Sequence, residues 1–269
     1  MPDSQDSKYR DIIYEEKNHT ATITFNRPDR LNAFREGMYE EVTDAIIEAS
    51  WNKQISAIVL TGAGNRAFGV GGDLGDKKKG RRGKGTIGVP VEDLHSAIRD
   101  APQPVIAKVR GYAIGGGNVL CTLCDLTIAS DNAIFGQVGP KMGSVDPGYG
   151  TAYLARVVGE KKAREMWYLC RRYPAQEALA MGLVNAVVPD DELDAEVDRW
   201  CAELALRSPT AIAIAKRTFN ADSESIRGIS RLGFEAVRMM YDTDESKEGG
   251  ASMREKRDPD FRAHMNLGD

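Results

Sequence analysis

The chain has no run of about 18 apolar residues, so no segment is expected to span a bilayer. Its first ten residues, MPDSQDSKYR, lack the apolar core of a signal peptide, and a cytoplasmic location is expected. It has no basic excess. Lys and Arg number 36 against 40 Asp and Glu, and the net charge of −4 gives no global pull towards nucleic acid or an anionic membrane. Histidine is scarce: His19, His95 and His264 are scattered near polar residues and are expected at the surface. Cysteine is scarce too. Cys121 and Cys124 form a C-x-x-C inside the apolar run VLCTLCDL, where thiols behave as small core hydrophobes. With no second such pair and no clustered histidine, neither a metal site nor a redox site is expected.

What is present is a soluble composition over 269 residues, enough for one large domain or a domain with a small appendage. Residues 12–14 and 21–25 read as strands, and Met38, Val42, Ala45, Ile46 and Ala49 recur at helical spacing within 35–50. The fully apolar run 57–61 reads as a strand buried on both faces, followed by a polar, glycine-rich loop over 62–88 and a short helix over 91–99. The unit then repeats: strand 104–109, glycine turn 111–117, helix 118–124, strands 126–129 and 133–135. Alternation of this kind predicts right-handed βαβ units stacked as turns of one superhelix. From 151 onward the pattern is helical, apart from a short strand at 186–188. An α/β core over about 8–190 and a helical C-terminal part over about 191–269 are therefore expected.

Glycine marks the chemistry. The segment 135–151, FGQVGPKMGSVDPGYGT, sets five glycines around one carboxylate, Asp146, and one hydroxyl, Ser144. Glycine permits close approach of backbone to a ligand, so this reads as a site wall; the plain alternative is a connector with a capping or turn-forming Ser or Asp. Two more glycine motifs follow buried strands: AFGVGGD at 67–73 and GYAIGGG at 111–117. A strand end, then glycines, then a helix start leaves backbone N–H groups pointing outwards, and two such groups on one oxygen make an oxyanion hole. Tight turns between buried elements, or a phosphate cradle, are the rivals, although neither motif fits the usual phosphate-loop patterns.

With NRPDRLNAF at 26–34 and FGQVGPKMGSVD at 135–146, these motifs resemble the crotonase (enoyl-CoA hydratase/isomerase) superfamily in order and spacing over almost the whole chain. The resemblance implies an α/β spiral of ββα turns with a helical C-terminal region, a coenzyme A thioester substrate and a homotrimer or homohexamer. By motif position the oxyanion donors are the N–H groups of Gly72 and Gly116. Coenzyme A or its acyl group is expected along Arg30, Val70, Gly71, Asp73, Tyr112, Gly115, Gln137, Gly139 and Lys256, with Lys108 as a further phosphate contact. Asp73 is expected to hold its loop rather than do chemistry.

The departures carry as much weight. Hydratases resembling this chain place one Glu where Val119 stands and another where Gly139 stands, and neither residue here can transfer a proton. The proton-handling duty is expected to fall on Asp146, with Ser144 and Tyr241 as hydrogen-bonding partners. The run at 139–150 followed by 153–165, and the segment 241–256, resemble one branch of the superfamily. That branch holds the 1,4-dihydroxy-2-naphthoyl-CoA synthases, which close a ring, and the 2-ketocyclohexanecarboxyl-CoA hydrolases, which open one. Within the branch, the stretches at 86–100, 143–152, 207–217 and 241–246 resemble the ring-opening enzymes. No dissociable cofactor is expected beyond the coenzyme A of the substrate. Gln137 and Gly139 match the pocket in which related synthases hold bicarbonate, so bicarbonate stays open. The basic run at 77–84 lacks interleaved aromatics and is expected to be a solvated loop near coenzyme A phosphates rather than an RNA-binding surface.

Overall fold

The computed structural model describes residues 8–73, 75 and 87–264. The basic run at 77–84 lies outside the described residues.

The chain opens with an antiparallel pair, β1 (Ile12–Lys17) and β2 (Thr20–Phe25), joined through Asn18 and His19 at positive φ. Helix α1 (Glu36–Trp51) follows and buries the predicted stripe of Met38, Val42, Ala45, Ile46 and Ala49. Three successive turns then build two sheets at once. In the first turn β3 (Ala57–Gly62) is followed by β4 (Ala67–Gly69) and α2 (Pro90–Asp100). In the second, β5 (Val105–Val109), β6 (Tyr112–Ile114) and α3 (Gly116–Leu123) repeat the pattern. The third turn holds β7 (Leu126–Ser130) and β8 (Ile134–Gly136). Short helices α4 (Leu154–Val158), α5 (Glu160–Leu169) and α6 (Ala175–Ala180) follow, interrupted by β9 (Arg172–Pro174) and closed by β10 (Ala186–Val188).

The first member of each turn joins a six-stranded sheet of order β1-β2-β3-β5-β7-β10, parallel throughout except for the β1–β2 pair. The second member joins a four-stranded sheet of order β4-β6-β8-β9. This is the expected superhelix, with β9 added where no strand was expected and with one further correction. Residues 67–69 and 112–114, read as loop and turn, are strands. Three residues are too few to show alternation, and their pairing comes from neighbours one superhelical turn away.

Helices α7 (Leu193–Ala205), α8 (Pro209–Ala221), α9 (Ser225–Met240) and α10 (Asp244–Glu255) complete the described chain. Leu193, Val197 and Cys201 of α7 pack on Ala57, Val59, Ile106 and Ile128, the outer face of the large sheet. Cys121 and Cys124 are buried in the main core, and burial pushes both thiols up. His95 corrects a surface assignment. It is 1% exposed, edge-on to Tyr149 at 5.4 Å, and burial holds it neutral by lowering its pKa to about 3.

Candidate active site

The two glycine loops that follow β4 and β6 lie against each other. A Cβ built on Gly71 would stand 3.1 Å from the Gly116 nitrogen, and one on Gly116 would stand 3.2 Å from the Gly71 Cα. Only glycine permits this approach, and Gly71 and Gly115 also hold φ of +84° and +58°. The first loop is held by Phe34, whose N–H donates to the Gly71 carbonyl and whose carbonyl accepts from the Asp73 N–H, both at 2.8 Å. This pairing flanks Gly72 and leaves its N–H outside the bridge, while the Gly116 N–H is the first of α3 and has no acceptor within that helix. Asp73 holds the loop as expected. It pairs with Arg27 at 2.6 Å and accepts from the Gly75 N–H at 2.8 Å; both bonds favour its ionised form, and its pKa is lowered despite burial. Asn32 in NRPDRLNAF ties the same region together, donating to the carbonyls of Ala63 and Ala67.

The segment after β8 meets these loops at Val138, whose Cγ1 lies 3.5 Å from the Cβ position of Gly115. Ser144 N–H donates to the Gly139 carbonyl at 2.9 Å, and the Ser144 hydroxyl meets the Tyr241 hydroxyl at 2.9 Å. Asp146 is part-buried, and one of its carboxyl oxygens accepts from the Gly150 N–H at 3.0 Å. Burial dominates that bond and raises the Asp146 pKa to about 7. A carboxyl that titrates near neutrality can take and return a proton. Helix α9 seats this segment closely. Cβ positions on Gly148 and Gly233 would fall 2.6 Å from the Ser230 Cβ and 2.3 Å from the Pro147 Cβ. Helix α10 lies over Met142, where a Cβ on Gly249 would fall 2.3 Å from the carbonyl carbon.

The two positions that carry Glu in hydratases hold no carboxylate here, and one of them is closed to it. Val119 is wholly buried in the core. A Cβ at Gly139 would meet the Ser144 carbonyl oxygen at 2.5 Å and the Trp167 ring at 2.6 Å. Trp167 was not singled out from the sequence; its indole N–H donates to the Gly150 carbonyl, so one ring fills the space at Gly139 and braces the residue that bonds Asp146.

The remaining expected contacts divide. Val70, Gly71 and Gly115 lie together, with the Val70 carbonyl oxygen 3.9 Å from the Cβ position of Gly115. Arg30 is exposed at the end of the turn Pro28–Arg30, and its charge helps to lower the Asp73 pKa. Gln137 and Lys256 line one cavity of about 260 Å³ with Ile114, Val138, Lys141 and Arg172. Tyr112 turns its ring to the Arg172 guanidinium at 5.5 Å. The Gln137 amide is buried, with neither polar atom hydrogen-bonded among the described residues. Lys108 is elsewhere: it pairs with Asp194 of α7 at 2.7 Å, which removes it from the phosphate contacts.

Sequence reasoning also missed Tyr39. It lies beside Met38 but off the apolar stripe of α1, and its ring stacks on Phe34 with centroids 5.4 Å apart. Its hydroxyl lies 3.9 Å from the Cβ position of Gly116. Burial, then the charges of Asp146 and Tyr241, keep it protonated. Nothing in the spacing of α1 distinguishes it from a boundary aromatic.

A profile of the family described as Enoyl-CoA hydratase/isomerase matches residues 15–264. The chain is similar to the crystal structure of an enoyl-CoA hydratase from Mycobacterium avium subsp. paratuberculosis, at 30% identity and a TM-score of 0.84, over 94% of this chain and 98% of that one. It is similar to an enoyl-CoA hydratase/isomerase from Pseudoalteromonas atlantica at 28% identity and a TM-score of 0.84, over 93% and 99% of the two chains. A third similar structure, OdaA from Pseudomonas aeruginosa, shares 26% identity with a TM-score of 0.83, over 90% and 98%.

Proposed function

We propose, for a chain that belongs to the enoyl-CoA hydratase/isomerase family of the crotonase superfamily, the hydrolytic ring opening of a cyclic β-keto acyl-CoA such as 2-ketocyclohexanecarboxyl-CoA. The observation that carries this reading is the replacement of both hydratase carboxylates, one by the buried Val119 and the other by Gly139, where packing leaves no room for a side chain. A different carboxyl, Asp146, lies two residues along the chain from Ser144, whose hydroxyl meets that of Tyr241.

In this reading the thioester oxygen lies on the N–H groups of Gly72 and Gly116. Asp146 takes a proton from water, and the oxygen of that water attacks the ring ketone. The ketone oxygen becomes a tetrahedral oxyanion, held by Ser144 and Tyr241. Its collapse breaks the ring C–C bond, and the electron pair moves onto the thioester as an enolate, whose charge the two amides already face. Return of the proton to the α-carbon gives an open-chain dicarboxylic acid monothioester. The cations of Lys141, Arg172 and Lys256, gathered on one cavity, suit the phosphates of coenzyme A.

One observation favours the synthase reading. The buried Gln137 amide offers a donor and an acceptor to a small oxyanion such as bicarbonate. Such an ion would have to lie against Gln137, because Trp167 and the Ser144 carbonyl fill the direction a side chain at 139 would take. Incubation with 2-ketocyclohexanecarboxyl-CoA decides between the two. Pimeloyl-CoA is the expected product; its absence, with turnover of succinylbenzoyl-CoA, supports the synthase instead.

A homotrimer or homohexamer belongs to the same reading. Phe219 of α8 and Leu232 and Met239 of α9 are 75–78% exposed, an apolar surface suited to a second copy of the chain. So does a cytoplasmic setting: among the described residues no helix is long and apolar enough to cross a membrane.

A further inference from the structure

We propose that Tyr39 is a third hydrogen-bond donor to the thioester oxygen of the bound acyl-CoA, beside the Gly72 and Gly116 amides. The proposal rests on the acyl-CoA reading of the two glycine loops and is independent of ring opening.

The geometry comes through Phe34. Its backbone brackets Gly72, and its ring edge lies 3.9 Å from the Cβ position of Gly116. The Tyr39 ring stacks on that ring at an interplanar angle of 21°, which points the hydroxyl at the same glycine. Helix α1 is anchored in the core immediately beside it by the fully buried Met38 and Val42. Tyr39 is therefore a rigid group on a rigid element, which is what a preorganised donor requires. Among the described residues its hydroxyl has no hydrogen-bond partner, which leaves its proton to a ligand oxygen. The charged and titratable groups that act on it are Asp146 and Tyr241, and both disfavour the phenolate. The hydroxyl thus presents a proton rather than a lone-pair charge. A donor of this kind is worth more to an enolate than to a neutral carbonyl, because hydrogen bonds to charged groups are the stronger ones.

Acetoacetyl-CoA tests this without any need for turnover, since it ionises to an enolate that absorbs in the near ultraviolet. Tyr39→Phe keeps the ring and its stack and deletes only the hydroxyl. The enolate fraction of bound acetoacetyl-CoA, followed against pH, is expected to fall so that its apparent ionisation constant drops about tenfold. Affinity for butyryl-CoA, which forms no such enolate, should change less than threefold, and the thermal melt should stay put. An unchanged enolate fraction overturns the proposal. So does an equal loss for both ligands, which marks Tyr39 as packing alone, or a wild-type protein that does not bind acetoacetyl-CoA. The two readings fail separately. An enolate shift without pimeloyl-CoA formation upholds Tyr39 and removes ring opening; pimeloyl-CoA formation without the shift does the reverse.

Discussion

The hydroxyls of Ser144 and Tyr241 stand 2.9 Å apart although 97 positions separate them in the chain. One lies on the glycine-rich segment after β8 and the other at the end of α9, so the pair exists only because α9 is seated on that segment. If both hydroxyls hold one developing oxyanion, they act as a unit. Ser144→Ala and Tyr241→Phe should then each lower kcat by about 10²-fold with little change in KM, the range seen when one donor to an oxyanion is removed. The double variant should lose little more than either single one. Steady-state kinetics on the four proteins of the cycle measure the coupling; additive losses would mean that the two hydroxyls serve different atoms.

Asp146 makes a prediction about pH. A general base must be ionised, so kcat/KM should rise with pH and level off above about 7, to which burial has moved its pKa from the ordinary carboxyl value of 3.8. Asp146→Asn should retain the bond from the Gly150 N–H and lose at least about 10³-fold in turnover. Stability runs the other way. The folded chain holds a proton that the unfolded chain has already released between those two values. The contribution of Asp146 to stability is therefore complete below about pH 3.8 and is lost as pH rises through about 7. Melting curves should show Asp146→Asn gaining on the wild type between pH 4 and pH 8. A gain that is flat across this range would place the carboxyl in water.

The parts of this site that could be read in advance are those whose meaning is local. A strand end followed by glycines marks a backbone that something approaches closely, and Gly71, Gly72, Gly115 and Gly116 need no distant residue to say so. Asp146 was visible because it is the one carboxyl in its glycine-rich segment. Trp167, Gly233 and Gly249 were not, because their roles consist of contacts with Gly139, Pro147 and Met142 that only the folded chain creates. His95 looked like a surface residue for the same reason: polar Asp93 and Ser96 are close to it in sequence, while its neighbours in space are Tyr149 and Phe234. The superhelix was legible from the apolar runs 57–61 and 104–109. Its second sheet was not, since three-residue strands have no period to detect.

Gly139→Glu separates the sequence argument from the structural one. By motif alone it restores a hydratase carboxylate. In the folded chain its Cβ would meet the Ser144 carbonyl oxygen at 2.5 Å and the Trp167 ring at 2.6 Å. Overpacking of this kind costs about 1–3 kcal/mol, and Trp167 cannot retreat without releasing the Gly150 carbonyl. The variant should melt several degrees lower and gain no hydration of crotonyl-CoA. Appearance of 3-hydroxybutyryl-CoA would show that Trp167 yields and that the space is more adaptable than its packing implies.

The cationic cavity can be tested by splitting the substrate. Lys141, Arg172 and Lys256 line it and form no ion pair among the described residues, whereas Arg257 at its rim is paired with Glu248 and Glu255. If the first three meet the phosphates of coenzyme A, Arg172→Ala and Lys256→Ala should each raise KM for the full thioester by about 5- to 20-fold. That is the worth of one charge-assisted contact in a partly screened setting. Neither should change KM for the same acyl group carried on pantetheine, which has no phosphate, and the penalty should shrink as salt is raised. Lys108→Ala supplies the control, because Lys108 is paired with Asp194 and does not line this cavity. A penalty that persists with the pantetheine thioester would assign the cavity to the acyl group rather than to the coenzyme. In that case the amide of Gln137, which lines the same space and has no hydrogen-bond partner among the described residues, would become the group to examine for contact with the substrate's polar end.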